Sequence, residues 1–379
     1  MTLALGLAAL AAYPFGITHG PYLQNLEDDE VTIVWTTDQP SIGWVELAPN
    51  GEESFYALER QSIYDTTSGV KTTSTIHTVK VRGLKPGTRY RYRVCSREVT
   101  SHEGIKVLYG DYATTDVYRK KPLAFVTSDR TKTQTSFAVV NDIHGDNDRL
   151  EKLFSQAEAG KPDFYIFNGD MVSISGNEKQ VFDGFMDKAI SLFASERCMY
   201  YTRGNHETRG IFATRFHDYF SPKKEEIYYT FRQGPVFFVV LDTGEDKPDS
   251  DVEYYDITDY DNYRSQQSEW LKGVLASKEY QEAPFKVVIA HIPPIVDWHG
   301  NLEVMEKFAS VLGTNKPDVM FCAHEHKYMD LTKPSKDVPF PLVVNAHTSV
   351  LMVQAGDGKL DIQIVDTEGK TIDKLQIRK

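Results

Sequence analysis

The stretch FAVVNDIHGD, residues 137–146, reads as a short buried strand that runs straight into a polar turn containing glycine. Four further stretches are built the same way: DFYIFNGD (163–170), CMYYTRGNHE (198–207), FKVVIAH (285–291) and DVMFCAHEH (318–326). In each, an apolar run too short for a helix is followed at once by Asp, Asn or His. Seven side chains that can ligate a metal therefore stand at strand exits: Asp142, His144, Asp170, Asn205, His291, His324 and His326. Two carboxylates, one amide and four imidazoles form an oxygen and nitrogen donor set suited to a pair of borderline transition ions. Between the strands the apolar spacing changes to that of helices. Leu150, Leu153, Phe154 and Ala157 mark one helix, and Val181, Phe182, Phe185, Met186, Ala189 and Phe193 mark a second. Further helices are predicted around Trp270–Leu275 and Met305–Val311. Strands alternating with helices predict a layered α/β unit whose functional loops gather at one sheet edge.

The text before this region is different. From Ile17 to Asp129 it is all strand, with Val31, Ile33 and Trp35 alternating against Thr32, Val34 and Thr36. Tyr90, Tyr92 and Val94 alternate with Arg89, Arg91 and Arg93, which predicts a buried face and a solvated arginine face. The turn GLKPGTRY (83–90) before this strand resembles that of fibronectin type III sandwiches, where a tyrosine corner ties a strand to the preceding turn. A β-sandwich over residues 17–130 and an α/β unit over 131–379 follow, joined at the polar segment Thr131–Thr135. From Pro341 onward only short strands are predicted. The first 16 residues contain an apolar run, Leu3–Ala12, that ends in small residues and lacks a basic start. It reads as a signal-peptide remnant, which points to export to a periplasm or the exterior, or else as an N-terminal strand.

With 379 residues, two domains are the natural expectation, and 41% hydrophobic with 12% aromatic residues supports a substantial core. A net charge of −12 argues against a nucleic-acid partner. It also means that an anionic substrate must be attracted locally, as a metal pair would do. Cys95, Cys198 and Cys322 are too few and too scattered for a disulfide framework. No uncharged stretch is long enough for a transmembrane helix.

In order and wording, the five motifs resemble those of the calcineurin-like metallophosphoesterases. The resemblance implies a four-layer α-β-β-α sandwich holding two divalent ions, Mn, Fe or Zn. It implies that Asp142, His144 and His326 hold one ion, that Asn205, His291 and His324 hold the other, and that Asp170 bridges them. The implied reaction is hydrolysis of a phosphate mono- or diester by metal-activated hydroxide. His206, in GNHE, matches the family residue thought to assist the leaving group.

The sandwich resembles the N-terminal domain of purple acid phosphatases, yet that group carries GD-x-x-Y, and here Ser173 stands at the Tyr position. No tyrosinate on iron is implied, and hence no purple colour. Protein serine/threonine phosphatases use an Asp at the same position to orient the catalytic His. Ser173 lacks that carboxylate, so Asp146 is the candidate orienting partner. Arg209 is a candidate phosphate ligand. His299, with Asp297, is a candidate for the pocket mouth. The acidic, tyrosine-rich segment 244–263 is a candidate lid. The rival reading is a catalytically inactive binding or scaffolding protein on the same fold, which would have been free to lose the ligands that this chain keeps. Oligomeric state and the substrate beyond a phosphorylated small molecule stay open.

Overall fold

The computed structural model describes residues 14–57, 59–220 and 226–379. The run Leu3–Ala12, read as a signal remnant, lies outside them. No helix among the described residues is long and apolar enough to cross a membrane.

The N-terminal strands are β1 (Ile17–Gln24), β2 (Glu30–Pro49), β3 (Gln61–Tyr64), β4 (Thr66–Thr67), β5 (Val70–Lys71), β6 (Thr73–Arg82), β7 (Arg89–Glu103), β8 (Lys106–Thr114) and β9 (Leu123–Val126). β2 passes through both halves of the sandwich. Its first part pairs with β1 and β6, its second with β3 and β7, and the pairing with β6 shifts register between Thr36 and Ser41. β8 and β9 extend the second half through β7. Trp35 is fully buried between the halves, with its Nε1 donating to Ser96 Oγ at 2.9 Å. The Tyr90 hydroxyl accepts from Lys85 N at 3.0 Å, which is the expected tie between strand and turn.

The arginine face of β7 departs from expectation. Arg91 and Arg93 are buried at 6% and 8% exposure, because the segment after β2 folds back over them. Arg91 donates to Pro49 O (2.9 Å), Glu53 O (2.7 Å) and Glu53 Oε1 (2.7 Å), and Arg93 donates to the Tyr56 hydroxyl (2.6 Å). Period-two alternation says which residues share a face. It does not say whether a distant segment will cover that face.

The remaining strands are β10 (Thr135–Val140), β11 (Phe164–Asn168), β12 (Met199–Thr202), β13 (Tyr229–Gln233), β14 (Val236–Leu241), β15 (Phe285–Ala290), β16 (Val319–Cys322), β17 (Met329–Leu331), β18 (Leu342–Val344), β19 (Ser349–Gly356), β20 (Lys359–Asp366) and β21 (Thr371–Arg378). They form two six-stranded sheets, ordered β12-β11-β10-β19-β20-β21 and β13-β14-β15-β16-β18-β17. The sheets face each other across an aromatic core in which Phe137 and Phe164 stack at 5.4 Å and Phe231 and Phe238 at 4.4 Å. Helix Asn147–Ala157 covers the outer face of the first sheet with Leu150, Leu153 and Phe154. Helix Tyr260–Ala276 and the helical run 299–312 cover the second with Leu271, Leu275, Phe308 and Leu312. The result is the four-layer α-β-β-α arrangement.

The sandwich is not a loose appendage. Its inner residues, such as Val31, Trp35 and Phe125, belong to the same apolar cluster as Phe137 and Phe164. Tyr22 and Tyr92 donate across the junction to Tyr219 O (2.8 Å) and Ser195 O (2.7 Å).

Phe164 touches both sheets, through Phe137 and through Phe231 and Phe238. Phe164→Ala is expected to lower unfolding free energy by about 3–5 kcal/mol in chemical denaturation, the cost of emptying a large core site.

Candidate functional site

Every candidate ligand sits just past the C-terminal end of a parallel strand. β10, β11 and β12 of the first sheet deliver Asp142 with His144, Asp170, and Asn205; β15 and β16 of the second deliver His291, and His324 with His326. The chain must turn sharply at these exits. Asp142 (φ 52°), His144 (51°), Asp170 (54°), His324 (71°) and His326 (54°) all lie in the left-handed region. Such backbone is costly for residues with a Cβ and persists only where the surroundings hold it. Two glycines let the loops close in. A Cβ on Gly169 would meet His291 Nδ1 at 2.4 Å, and one on Gly204 would meet Asp170 Oδ1 at 2.3 Å.

The exits converge into two donor groups. Asp142, His144, Asp170 and His326 form one and Asp170, His291 and His324 the other, with ligand atoms in each group within 4.8 Å of one another. Asp170 belongs to both. His326 Nε2 lies 3.2 Å from Asp142 Oδ1 and 3.2 Å from His144 Nε2, while His291 Nε2 lies 3.2 Å from Asp170 Oδ2. The inward atom of the Asn205 amide is 3.0 Å from His324 Nδ1, 3.2 Å from Asp170 Oδ2 and 3.3 Å from His291 Nε2. All seven predicted ligands are thus brought together.

The electrostatics are those of a site built for cations. Asp142, Asp170 and His291 are essentially inaccessible. Burial alone would raise the Asp170 pKa, but the charge and hydrogen bond of His291 outweigh it and hold the carboxyl far below its usual range. Burial likewise opposes a charged His291, and Asp170 overcomes it, raising that pKa to about 10. Without an ion, a proton on His291 supplies the positive charge that the two carboxylates require. Burial pushes His144 and His324 down to about 4, so both imidazoles are neutral and have lone pairs free for a metal. Asp142 Oδ1 is buried and lacks a hydrogen-bond partner. Such an orphaned oxygen, facing imidazole nitrogens, fits a bound cation.

A surrounding layer of hydrogen bonds orients the donors. His291 Nδ1 lies 2.7 Å from Asn168 O, which can only accept, so Nδ1 carries the proton and Nε2 faces the carboxylates. Asp142 Oδ2 accepts from Asn141 Nδ2 at 2.7 Å and from His324 N at 3.2 Å.

Glu207 was not singled out from the sequence, although it is the last residue of GNHE. Its buried carboxylate accepts from the main-chain N–H groups of Asp170 (2.9 Å), Gly204 (2.7 Å), Met171 (2.7 Å) and Val172 (3.2 Å), clamping two loops together. Burial and the nearby Asp170 charge raise its pKa.

His206 borders the first group, its ring 4.7 Å from that of His144 and its Nε2 4.0 Å from Asp170 Oδ2. Its orienting partner is not Asp146, which caps helix Asn147–Ala157 by accepting from Arg149 N. It is the main-chain carbonyl of Ser173, 2.8 Å from Nδ1. The residue type at 173 hides this contact, because it is made by a main-chain carbonyl and not by a side chain.

Arg209 is not free to fork a phosphate. Its Nε and Nη2 donate to Glu245 at 2.9 and 3.0 Å, and Nη2 also reaches Asp246 at 3.4 Å. His299 pairs with Asp261 at 2.9 Å, and with Glu303 these residues form a third acidic group. That group already has protein cations, Arg264 on Asp261 (3.0 Å) and Lys307 on Glu303. Two tyrosines of segment 244–263 brace it, Tyr254 donating to Glu245 Oε2 within it (2.8 Å) and Tyr263 to Asp242 Oδ2 just before it (2.9 Å), while Tyr255 is exposed. Cys322 and the other two thiols are buried and unpaired with one another.

Two family models match the chain. The family model described as calcineurin-like phosphoesterase matches residues 135–328, and that of the purple acid phosphatase N-terminal domain matches residues 20–105. Purple acid phosphatase 21 of Arabidopsis thaliana is 26% identical over 67% of this chain and 52% of its own length. Acid phosphatase type 7 of Mus musculus is 24% identical over 85% of this chain and 73% of its own length. This chain spans about half the length of the plant relatives it matches. Among solved structures, TT1561 of Thermus thermophilus aligns at a TM-score of 0.41 and 14% identity, covering 65% of this chain and 100% of that one.

Glu207→Gln leaves two of four buried N–H donors without an acceptor. It is expected to cost about 2–4 kcal/mol in unfolding free energy, measured by denaturant titration of metal-free protein.

Proposed function

Because this chain belongs to the calcineurin-like phosphoesterase family, we propose that it is a metal-dependent hydrolase of phosphate mono- or diesters working through a dinuclear centre. The observation that carries this reading is Asp170, a single buried carboxylate common to two converging donor groups. Asp142, His144 and His326 would hold one ion and Asn205, His291 and His324 the other, with Asp170 available to both. Two ions there supply Lewis acidity, which makes water acidic at neutral pH and offsets charge on the phosphoryl oxygens. Mn, Fe and Zn all suit the donors.

The remaining work belongs to side chains. With Nδ1 fixed on Ser173 O, His206 presents Nε2 toward the cluster and holds a proton there for the departing alkoxide. Its own N–H donates to Asp170 Oδ1 at 2.9 Å, so the acid and the shared carboxylate keep a fixed spacing. Arg209, locked on Glu245, stands 3.1 Å from the outer atom of the Asn205 amide and limits how that amide turns. It acts as a positioning residue. Residues 17–130 form the sandwich unit and 131–379 the hydrolytic one.

Asp170→Asn is expected to lower kcat/KM on aryl phosphate mono- and diesters by more than about 100-fold, with loss of bound metal. Retention of full activity would remove Asp170 from the bridging role. His206→Ala is expected to lower kcat by roughly 10²–10⁴ while elemental analysis still finds two ions per chain. Loss of metal in that variant would instead make His206 a ligand.

A further inference from the structure

Large apolar side chains stand far out in solvent at the edge of the protein that carries the candidate ligands. Ile211, Val252, Tyr255, Ile257 and Val296 are each 82–89% exposed. Ile211 follows the β12 exit with Asn205, and Val296 follows the β15 exit with His291. Val252, Tyr255 and Ile257 lie on the loop after β14, which runs parallel to β15 and so ends at the same edge. Ile174, 47% exposed, follows the β11 exit with Asp170. Apolar residues scattered singly over a surface need no reason, whereas a group gathered at one edge marks a place where something apolar binds. Two of these residues lie on the flank of His206. Ser173, whose carbonyl fixes His206 Nδ1, directly precedes Ile174. Ser175 donates its N–H to Arg209 O at 2.7 Å and accepts from Phe212 N at 2.9 Å, which ties the segment of Ile174 to that of Ile211.

We propose that Ile174 and Ile211 are specificity-determining residues that receive the alcohol part of the ester, so that the site favours phosphoesters of apolar alcohols. The inference rests on the phosphoesterase reading above. In that reading His206 gives its proton to the departing alkoxide, so the carbon skeleton of the alcohol leaves the cluster across the His206 flank. An alkyl chain laid there takes apolar surface of both partners out of water. A polyhydroxy alcohol would lose its own hydration against two isoleucines without gaining a hydrogen bond. A lipid bilayer is the poorer occupant of this edge. Segment 244–263, which holds Val252, Tyr255 and Ile257, carries eight carboxylates against one lysine, and these repel anionic headgroups.

The test is kcat/KM for ethyl, butyl and hexyl phosphate, below micelle formation, on the metal-loaded full chain. The three leaving alcohols have nearly equal basicity, so the chemical step is matched and chain length reports apolar contact. Wild type should gain about two- to threefold per methylene, less than full transfer out of water because the lip is open. Ile174→Ser combined with Ile211→Ser should flatten that slope, and Leu at both positions should keep it. Both side chains are exposed, so neither change opens a core cavity. Ile105→Ser, on the exposed turn between β7 and β8 of the sandwich, should keep the full slope. A slope unchanged in the double Ser variant overturns the proposal, and so does an equal fall on all three esters. A slope that appears only when lipid vesicles are added makes a bilayer the occupant and also overturns it. Phenyl phosphate serves as the reference. If wild type cleaves it but shows no dependence on chain length, this proposal alone falls. If it cleaves none of the four esters, the phosphoesterase reading falls with it.

Discussion

Two like-charged carboxylates, Asp142 and Asp170, are buried at the seam between two sheets, and the rest of the site answers to that arrangement. Water cannot screen them, so positive charge must come from within the crevice. In the metal-free protein a proton on His291 meets part of that need. Burial drives His144 and His324 toward neutrality, so these two stay ready as donors. Charge balance, more than any single contact, explains why histidines from the second sheet face aspartates from the first.

This arrangement also accounts for the local backbone. A strand exit that pointed its side chain outward would adopt ordinary extended or helical geometry. At three of these exits five residues instead enter the left-handed region, which turns each side chain back over the sheet edge. Glu207 gathers the N–H groups freed by those turns, and Asn168 and Ser173 lend carbonyls that fix imidazole tautomers. The strained segments hold because many main-chain contacts specify them at once.

Much of this was legible in the sequence. Apolar runs ending in Asp, Asn or His gave the strand exits, and the alternation of strand and helix periods gave an α/β unit. The resemblance to the calcineurin-like metallophosphoesterases gave its two sheets and four layers, and Tyr90 gave the corner of the sandwich. Contacts made by main-chain atoms were not legible. The partner of His206 is a carbonyl, so the identity of residue 173 concealed it, and Asp146 has a capping role instead. Arg91 and Arg93 looked solvated because the segment that covers them, Pro49 to Tyr56, is about forty residues away in sequence. Arg209 looked available because its partners, Glu245 and Asp246, lie in a segment whose acidic text suggested a free lid.

The continuous core joining sandwich and hydrolytic unit has a mechanical consequence. Tyr22, Tyr92 and the apolar cluster through Trp35 and Phe137 weld the two parts. Rotation about the 131–135 segment would tear that core open, so the sandwich behaves as a bracket, not as a hinged arm. The crevice at the strand exits therefore keeps one distance and bearing to the sandwich surface.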